Sequence, residues 1–156
     1  MDPKVLILMG SDSDFEVMSE TKKVLDDLGV PSEVHVSSAH RTPERTGRLA
    51  REAAAHLAGV VAAETELPVL GVPLAGTDLQ GLDALLATVQ MPGGVPVGTL
   101  AIGKAGARNA GLLAARIIAR SDAAVADRVR EQRRRMAEEV ERKDAALQAR
   151  LTGPKG

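Results

Sequence analysis

The chain's most reactive stretch is Ser38-Ala39-His40-Arg41, inside the loop Ser37 to Pro43. It sets a hydroxyl, an imidazole and a guanidinium within four residues. A hydroxyl can donate to an anion, an imidazole can give or take a proton near neutrality, and a guanidinium can clamp a phosphate or carboxylate. A second polar cluster, Gly10-Ser11-Asp12-Ser13-Asp14, follows the apolar run Val5-Leu6-Ile7-Leu8. Its glycine permits a tight turn, its serines offer donors, and Asp14 can cap a helix or accept from sugar hydroxyls. Capping alone would account for either cluster taken singly. Two clusters placed alike, each after an expected strand, point to one shared site for an anionic ligand.

Such loops need strands to carry them. Lys4 to Met9 reads as a buried strand, because Val5, Leu6, Ile7 and Leu8 form the continuous apolar run that a parallel sheet covered on both faces requires. Ser32 to Val36 reads as a second strand, and Pro43 suits the first position of the next helix. Phe15 to Leu28 between them has Val17, Met18, Val24, Leu25 and Leu28 on one helical face, and Gly29 stops it. Both polar clusters then leave strands at their carboxyl ends, where parallel α/β domains bind ligands. His35 lies within a strand and reads as structural; His40 lies past the strand end.

Farther along, residues 44–63 read as helix interrupted near Gly59, and Leu67 to Val72 as a strand. A loop over 73–78 leads to a helix around Leu79 to Val89 with Leu82, Leu85 and Leu86 inward. The run Gln90-Met91-Pro92-Gly93-Gly94-Val95-Pro96-Val97 is too rich in glycine and proline for helix or central strand, so it reads as an ordered loop. Gly98 to Ile102 reads as a strand, and Ala107 to Arg120 as a helix whose Ala110, Gly111, Ala114 and Ala115 allow close packing. Residues 1–121 would form the α/β domain. From Asp122 to Leu151 a charged helix repeats Val125, Val129, Met136, Val140, Leu147 and Leu151 in a narrow apolar stripe. Residues 122–156 are therefore expected to form an arm that lies on another subunit. The Arg133-Arg134-Arg135 run, among acidic neighbours, reads as a solvated face.

Composition narrows the functions. The chain has 156 residues, enough for one domain with a sizeable core, and net charge -1, which gives no basic footprint for nucleic acid or an anionic membrane. Aromatics make up 1%, so base-stacking platforms are lacking and the core must be aliphatic. With no cysteine, disulfides and thiolate metal sites are excluded. No apolar run is long enough to cross a bilayer and the start lacks a signal-peptide pattern, so a cytoplasmic soluble domain is expected.

Five segments in order carry a resemblance. They are Gly10 to Asp14, Ser38 to Pro43, Gln90 to Val97, Ala101-Ile102-Gly103-Lys104-Ala105-Gly106, and Asn109 to Ala115. Together they resemble the 5-(carboxyamino)imidazole ribonucleotide mutase family of purine biosynthesis, also called the catalytic subunit of phosphoribosylaminoimidazole carboxylase. The match runs from about Val5 to Ala119, and Arg41-Thr42 is similar to the bacterial mutase class. The resemblance implies a three-layer αβα sandwich with a parallel sheet, flavodoxin-like or Rossmann-like, assembled as a homo-octamer. It implies transfer of a carboxylate from the exocyclic nitrogen of an aminoimidazole ribonucleotide to ring carbon C4, with no metal or other cofactor. By position, His40 would be the catalytic proton shuttle. Ser11, Asp14, Ser38 and Arg41 would bind the ribonucleotide, Asp14 at ribose hydroxyls, and Gly93 and Gly94 would shape the pocket floor.

The chain also departs from that family. Ala54-Ala55-His56-Leu57-Ala58-Gly59 matches the end of a family glycine-rich loop, but the strand and most of the loop before it are absent, on the order of a dozen residues, more than ordinary loop variation. His56 reads equally as a helix-surface residue. Two alternatives to the mutase follow: a carboxylase that uses aminoimidazole ribonucleotide and free carbon dioxide, and a non-catalytic ribonucleotide-binding relative.

Overall fold

A computed structural model describes residues 5–36, 57–76 and 78–152. In chain order these form β1 (Val5–Met9), a single 3-10 turn (Asp12–Asp14), α1 (Phe15–Asp27), β2 (Ser32–Val36), α2 (Leu57–Glu64), β3 (Leu70–Gly71), α3 (Leu82–Val89), β4 (Gly98–Thr99), α4 (Gly103–Ile118) and α5 (Ala123–Thr152). This is the expected α/β architecture of parallel strands and a long C-terminal helix.

The strands form two ladders. β1 pairs with β2 in parallel from Val5↔Ser32 to Met9↔Val36, and β3 pairs with β4 in parallel through Leu70↔Gly98 and Gly71↔Thr99. Among the described residues no ladder joins β1 to β3.

The core lies between β1 and the α1, α4 and α5 helices. Ile7, Val24, Leu25, Leu28, Val30, Ala115 and Val125 form its buried cluster. Leu25 is fully buried, and truncating such a leucine to alanine costs about 2–5 kcal/mol. Small residues bring α1 and α4 together as their sequence suggests: a Cβ on Gly111 would lie 3.0 Å from the Thr21 carbonyl oxygen and from Val24 Cβ. At the same crossing the buried Thr21 hydroxyl donates to the Ala107 carbonyl at 2.7 Å. At the other end of α1, Gly29 takes a positive φ of 60° and ends the helix. Arg128 of α5 donates to the Leu28 carbonyl there, which docks the base of α5.

Three local expectations change. Gly59 lies inside α2 rather than breaking it; a Cβ there would meet Met91 Sδ at 2.5 Å, so the glycine serves a close approach. The helix before it, 44–56, lies outside the described residues. The strand expected over 67–72 pairs only at Leu70 and Gly71. Finally, Leu82 and Leu86 do not face inward: they are 50% and 47% exposed, and the buried residue of α3 is Thr88. An apolar stripe has the same spacing whether it covers a core or a second surface.

Candidate active site

The β1 tip builds a self-bonded polar loop. After Gly10, the Ser11 backbone N–H donates to Asp14 Oδ2 at 3.0 Å, and Ser11 Oγ accepts from the Ser13 backbone N–H at 3.3 Å. This is a reciprocal capping box at the 3-10 turn that opens into α1. The Ser13 hydroxyl donates to Ser11 Oγ at 2.9 Å, and Ser11 Oγ donates to Asp12 Oδ1 at 3.1 Å. Ser11 and Asp14, two of the residues expected to bind ligand, are therefore adjacent and mutually oriented. The loop sits at the amino end of α1, where the helix dipole favours an anion.

The β2 tip lies alongside. Met9 and Val36 are the last register pair of the ladder, so β2 ends beside the residue that precedes Gly10. Ser38, His40 and Arg41 lie on the continuation of β2, outside the described residues, as does His56. His35, read as structural, is half-buried within β2, with Nε2 3.7 Å from Glu33 Oε2.

One ion pair near this end was not legible in the sequence. Lys104, at the start of α4, places Nζ 2.7 Å from Glu16 Oε1 at the start of α1. The hydrogen bond and charge of Lys104 hold the Glu16 carboxyl below its ordinary range, and Glu16 raises Lys104. Both side chains are exposed, so this pair fixes geometry more than it stabilises. Eighty-eight positions separate the two residues, and no short-range pattern could reveal them as partners.

A cavity of about 630 Å³ extends from this loop into the molecule. Gly10 and Asp14 line its polar end, and the rest of its wall is mostly aliphatic, from β1 and from the 67–74 segment. Gly93 and Gly94 do not line it; they form a tight turn in which Val95 N–H donates to the Pro92 carbonyl at 3.1 Å and Gly94 takes φ 96°. Among the described residues no cluster of His, Cys, Asp and Glu could hold a metal ion, and no helix is long and apolar enough to cross a membrane.

Comparison with known proteins gives the family. The AIR carboxylase family profile matches residues 4–139. The N5-carboxyaminoimidazole ribonucleotide mutase of Bacillus subtilis is 50% identical over 147 positions, covering 85% of this chain and 91% of that protein. The mutase of the same name from Pseudomonas aeruginosa is 52% identical over 132 positions, covering 76% and 81%. The crystal structure of Treponema denticola PurE superposes with a TM-score of 0.81 at 25% identity, covering 93% of this chain and 98% of that one. The Bacillus alignment spans 147 positions but takes in only 85% of 156 residues, about 133, so about 14 positions of that relative have no counterpart here.

Proposed function

The chain belongs to the AIR carboxylase family, and from that premise we propose that it is the mutase that converts 5-(carboxyamino)imidazole ribonucleotide to 4-carboxy-5-aminoimidazole ribonucleotide in purine biosynthesis. It is an isomerase: the carboxylate moves from the exocyclic nitrogen to C4, and no atom is gained or lost. The observation that carries the reading is the high identity to curated mutases across most of both chains.

His40 is the proton shuttle. The exocyclic N–C bond breaks, its electron pair stays on nitrogen, and protonated His40 supplies the proton that completes the amine. Ring carbon C4 then attacks the released carbon dioxide, and the C4 proton passes to the His40 imidazole, which restores the aromatic ring and the starting histidine. An imidazole suits both transfers because its two protonation states are close in energy near pH 7. A pocket closed to water keeps carbon dioxide beside C4 during the exchange.

Ser11 and Asp14 bind the ribonucleotide from the β1 tip, Asp14 at the ribose hydroxyls. Ser38 and Arg41 bind its anionic groups from the continuation of β2. Supporting this is the Met9–Val36 pairing, which starts the two loops side by side; the four links from Val36 to His40 reach at most about 14 Å.

The working unit is a cytoplasmic homo-oligomer, an octamer; Val125 and Arg128 hold the base of α5 on its own subunit, and the exposed remainder of the expected 122–156 arm lies on a neighbouring subunit. Two exposed apolar stripes support assembly: Leu79, Leu82, Leu86 and Val89 around α3, and Met136, Val140, Leu147 and Leu151 along α5. The test of the reaction is turnover of the carboxyamino ribonucleotide against aminoimidazole ribonucleotide at low bicarbonate, without ATP. Rapid conversion of the first alone is expected. Preference for the second would make it a carboxylase, and binding by calorimetry without conversion would make it a non-catalytic relative.

A further inference from the structure

The two ladders are separated by the cavity of about 630 Å³, with β1 as one wall and the segment carrying β3 as another. Side chains from α1 to α4, among them Met18, Val61, Ala84 and Ile117, also line it. At about 30 Å³ per molecule, water filling this volume would number about 20, most of it against aliphatic walls.

The walls that face each other are strand edges. Val5 N–H donates to the Pro31 carbonyl at 3.0 Å, so ladder alternation turns the backbone groups of Val5, Ile7 and Met9 toward β2 and those of Leu6 and Leu8 to the opposite side. On the other wall, Gly98 N–H donates to Val69 O and Leu100 N–H to Gly71 O, each at 2.9 Å. Val69 and Gly71 therefore serve β4, and Leu70 and Val72 turn their N–H and C=O groups away from it. Among the described residues, β1 pairs with β2 alone and β3 with β4 alone. Leu6, in the middle of a core strand, is 45% exposed.

Apolar faces covered by helices, with a strand edge on two sides that no described residue pairs, are the surroundings of an interior parallel strand. The deficit of about 14 positions against the Bacillus relative is the length of one strand and its connection, given strands of about five or six residues and loops of a few. We propose that the slot between β1 and β3 is a strand acceptor, which takes one extended Val/Ile-rich peptide segment of about five residues from another polypeptide. The added strand bonds to Leu6 and Leu8 on one edge and to Leu70 and Val72 on the other. A small hydrocarbon would fill the space and leave both rows of backbone groups unsatisfied; a strand satisfies them and buries its side chains together.

The test uses the full chain and a synthetic peptide with a five-residue Val/Ile centre and a lysine at each end. A second peptide carries N-methyl groups at alternate central residues, which removes donors along one edge. Calorimetry is expected to show saturable binding of the first peptide at one per chain, with a rise in Tm, and at least about tenfold weaker binding of the second. Leu6→Pro, which deletes a donor on the cavity edge, is expected to weaken the first peptide similarly, and Leu6→Ala, which keeps that donor and trims only the wall, to weaken it less. Should Leu6→Pro fail to fold, the two peptides on the unaltered protein still decide. Absence of saturable binding up to the peptide's solubility limit overturns the proposal, as does equal binding of both peptides, which would make the slot a site for any apolar ligand. No turnover is read, so this result and that of the mutase assay are independent.

Discussion

Met9 and Val36 face each other as the final pair of the β1–β2 ladder, so the Ser11–Asp14 loop and the chain that continues to His40 begin as neighbours. Asp14 Oδ2 accepts the Ser11 N–H at 3.0 Å, and the ribose contact proposed for Asp14 draws on the same carboxylate. The two duties separate by substitution. Asp14→Asn keeps an acceptor for Ser11 and removes the charge, so it is expected to raise KM with little change in urea midpoint. Asp14→Ala is expected to raise KM and also to cost about 1 kcal/mol of stability through the lost cap. Equal urea midpoints for the two variants would contradict the capping duty.

Two glycines of α4, one against the turn before it and one against α1, predict a graded response. A Cβ on Gly106 would lie 1.6 Å from the Ala101 carbonyl oxygen, a backbone atom with nowhere to go, whereas at Gly111 the nearest atoms lie at 3.0 Å. Gly111→Ala should cost about 1–3 kcal/mol, as overpacking of a core does. Gly106→Ala should cost more, enough to displace the start of α4 and the Lys104–Glu16 pair with it. Denaturant midpoints of the two variants give the order directly; a Gly106→Ala protein as stable as Gly111→Ala would show that the 101–106 turn yields easily.

Glu131 gives the arm a pH signature. Its carboxylate accepts from Arg134 Nη2 at 2.7 Å and from Arg135 Nε at 2.9 Å, and these bonds hold its pKa down at about 2. A carboxyl depressed in the folded helix contributes stability above its ordinary value of 4.5 and loses it as pH falls toward 2. Helicity by far-ultraviolet circular dichroism should therefore decline between about pH 4.5 and 2, and Glu131→Gln should reduce the step. An unchanged step in that variant would assign the decline to other carboxylates.

The apolar stripe of α5 begins in the core at Val125 and continues into exposed Met136, Val140, Leu147 and Leu151. Met136→Glu combined with Val140→Glu should leave the subunit folded and reduce the assembly's mass by light scattering. An assembly of unchanged mass would mean that the arm covers no neighbour.

Much of this fold could be read in advance where one periodic pattern had one meaning. The apolar face of α1 and the small residues of α4 matched the packing found, because the partner of each lies in the same subunit; the Val5–Leu8 run formed its strand, but Leu6 is 45% exposed rather than covered. Leu82 and Leu86 were misread because a stripe does not say which surface covers it. Leu67 to Val72 shrank to a two-residue pairing because strand pairing depends on a partner, and only β4 is beside it among the described residues. At the β1 tip, the capping of the loop by Ser11 and Asp14 was legible from local chemistry, but the Lys104–Glu16 pair joins helix starts 88 positions apart and leaves no local trace.

The most direct measurement of the central claim is single-substrate turnover of the carboxyamino ribonucleotide by the unaltered protein and by His40→Asn, with folding of both confirmed by circular dichroism. Loss of the shuttle predicts a kcat lower by about 100-fold to 10,000-fold, the range that a positioned acid–base group supplies. A folded His40→Asn protein with unreduced kcat would contradict the proton transfer assigned to that imidazole.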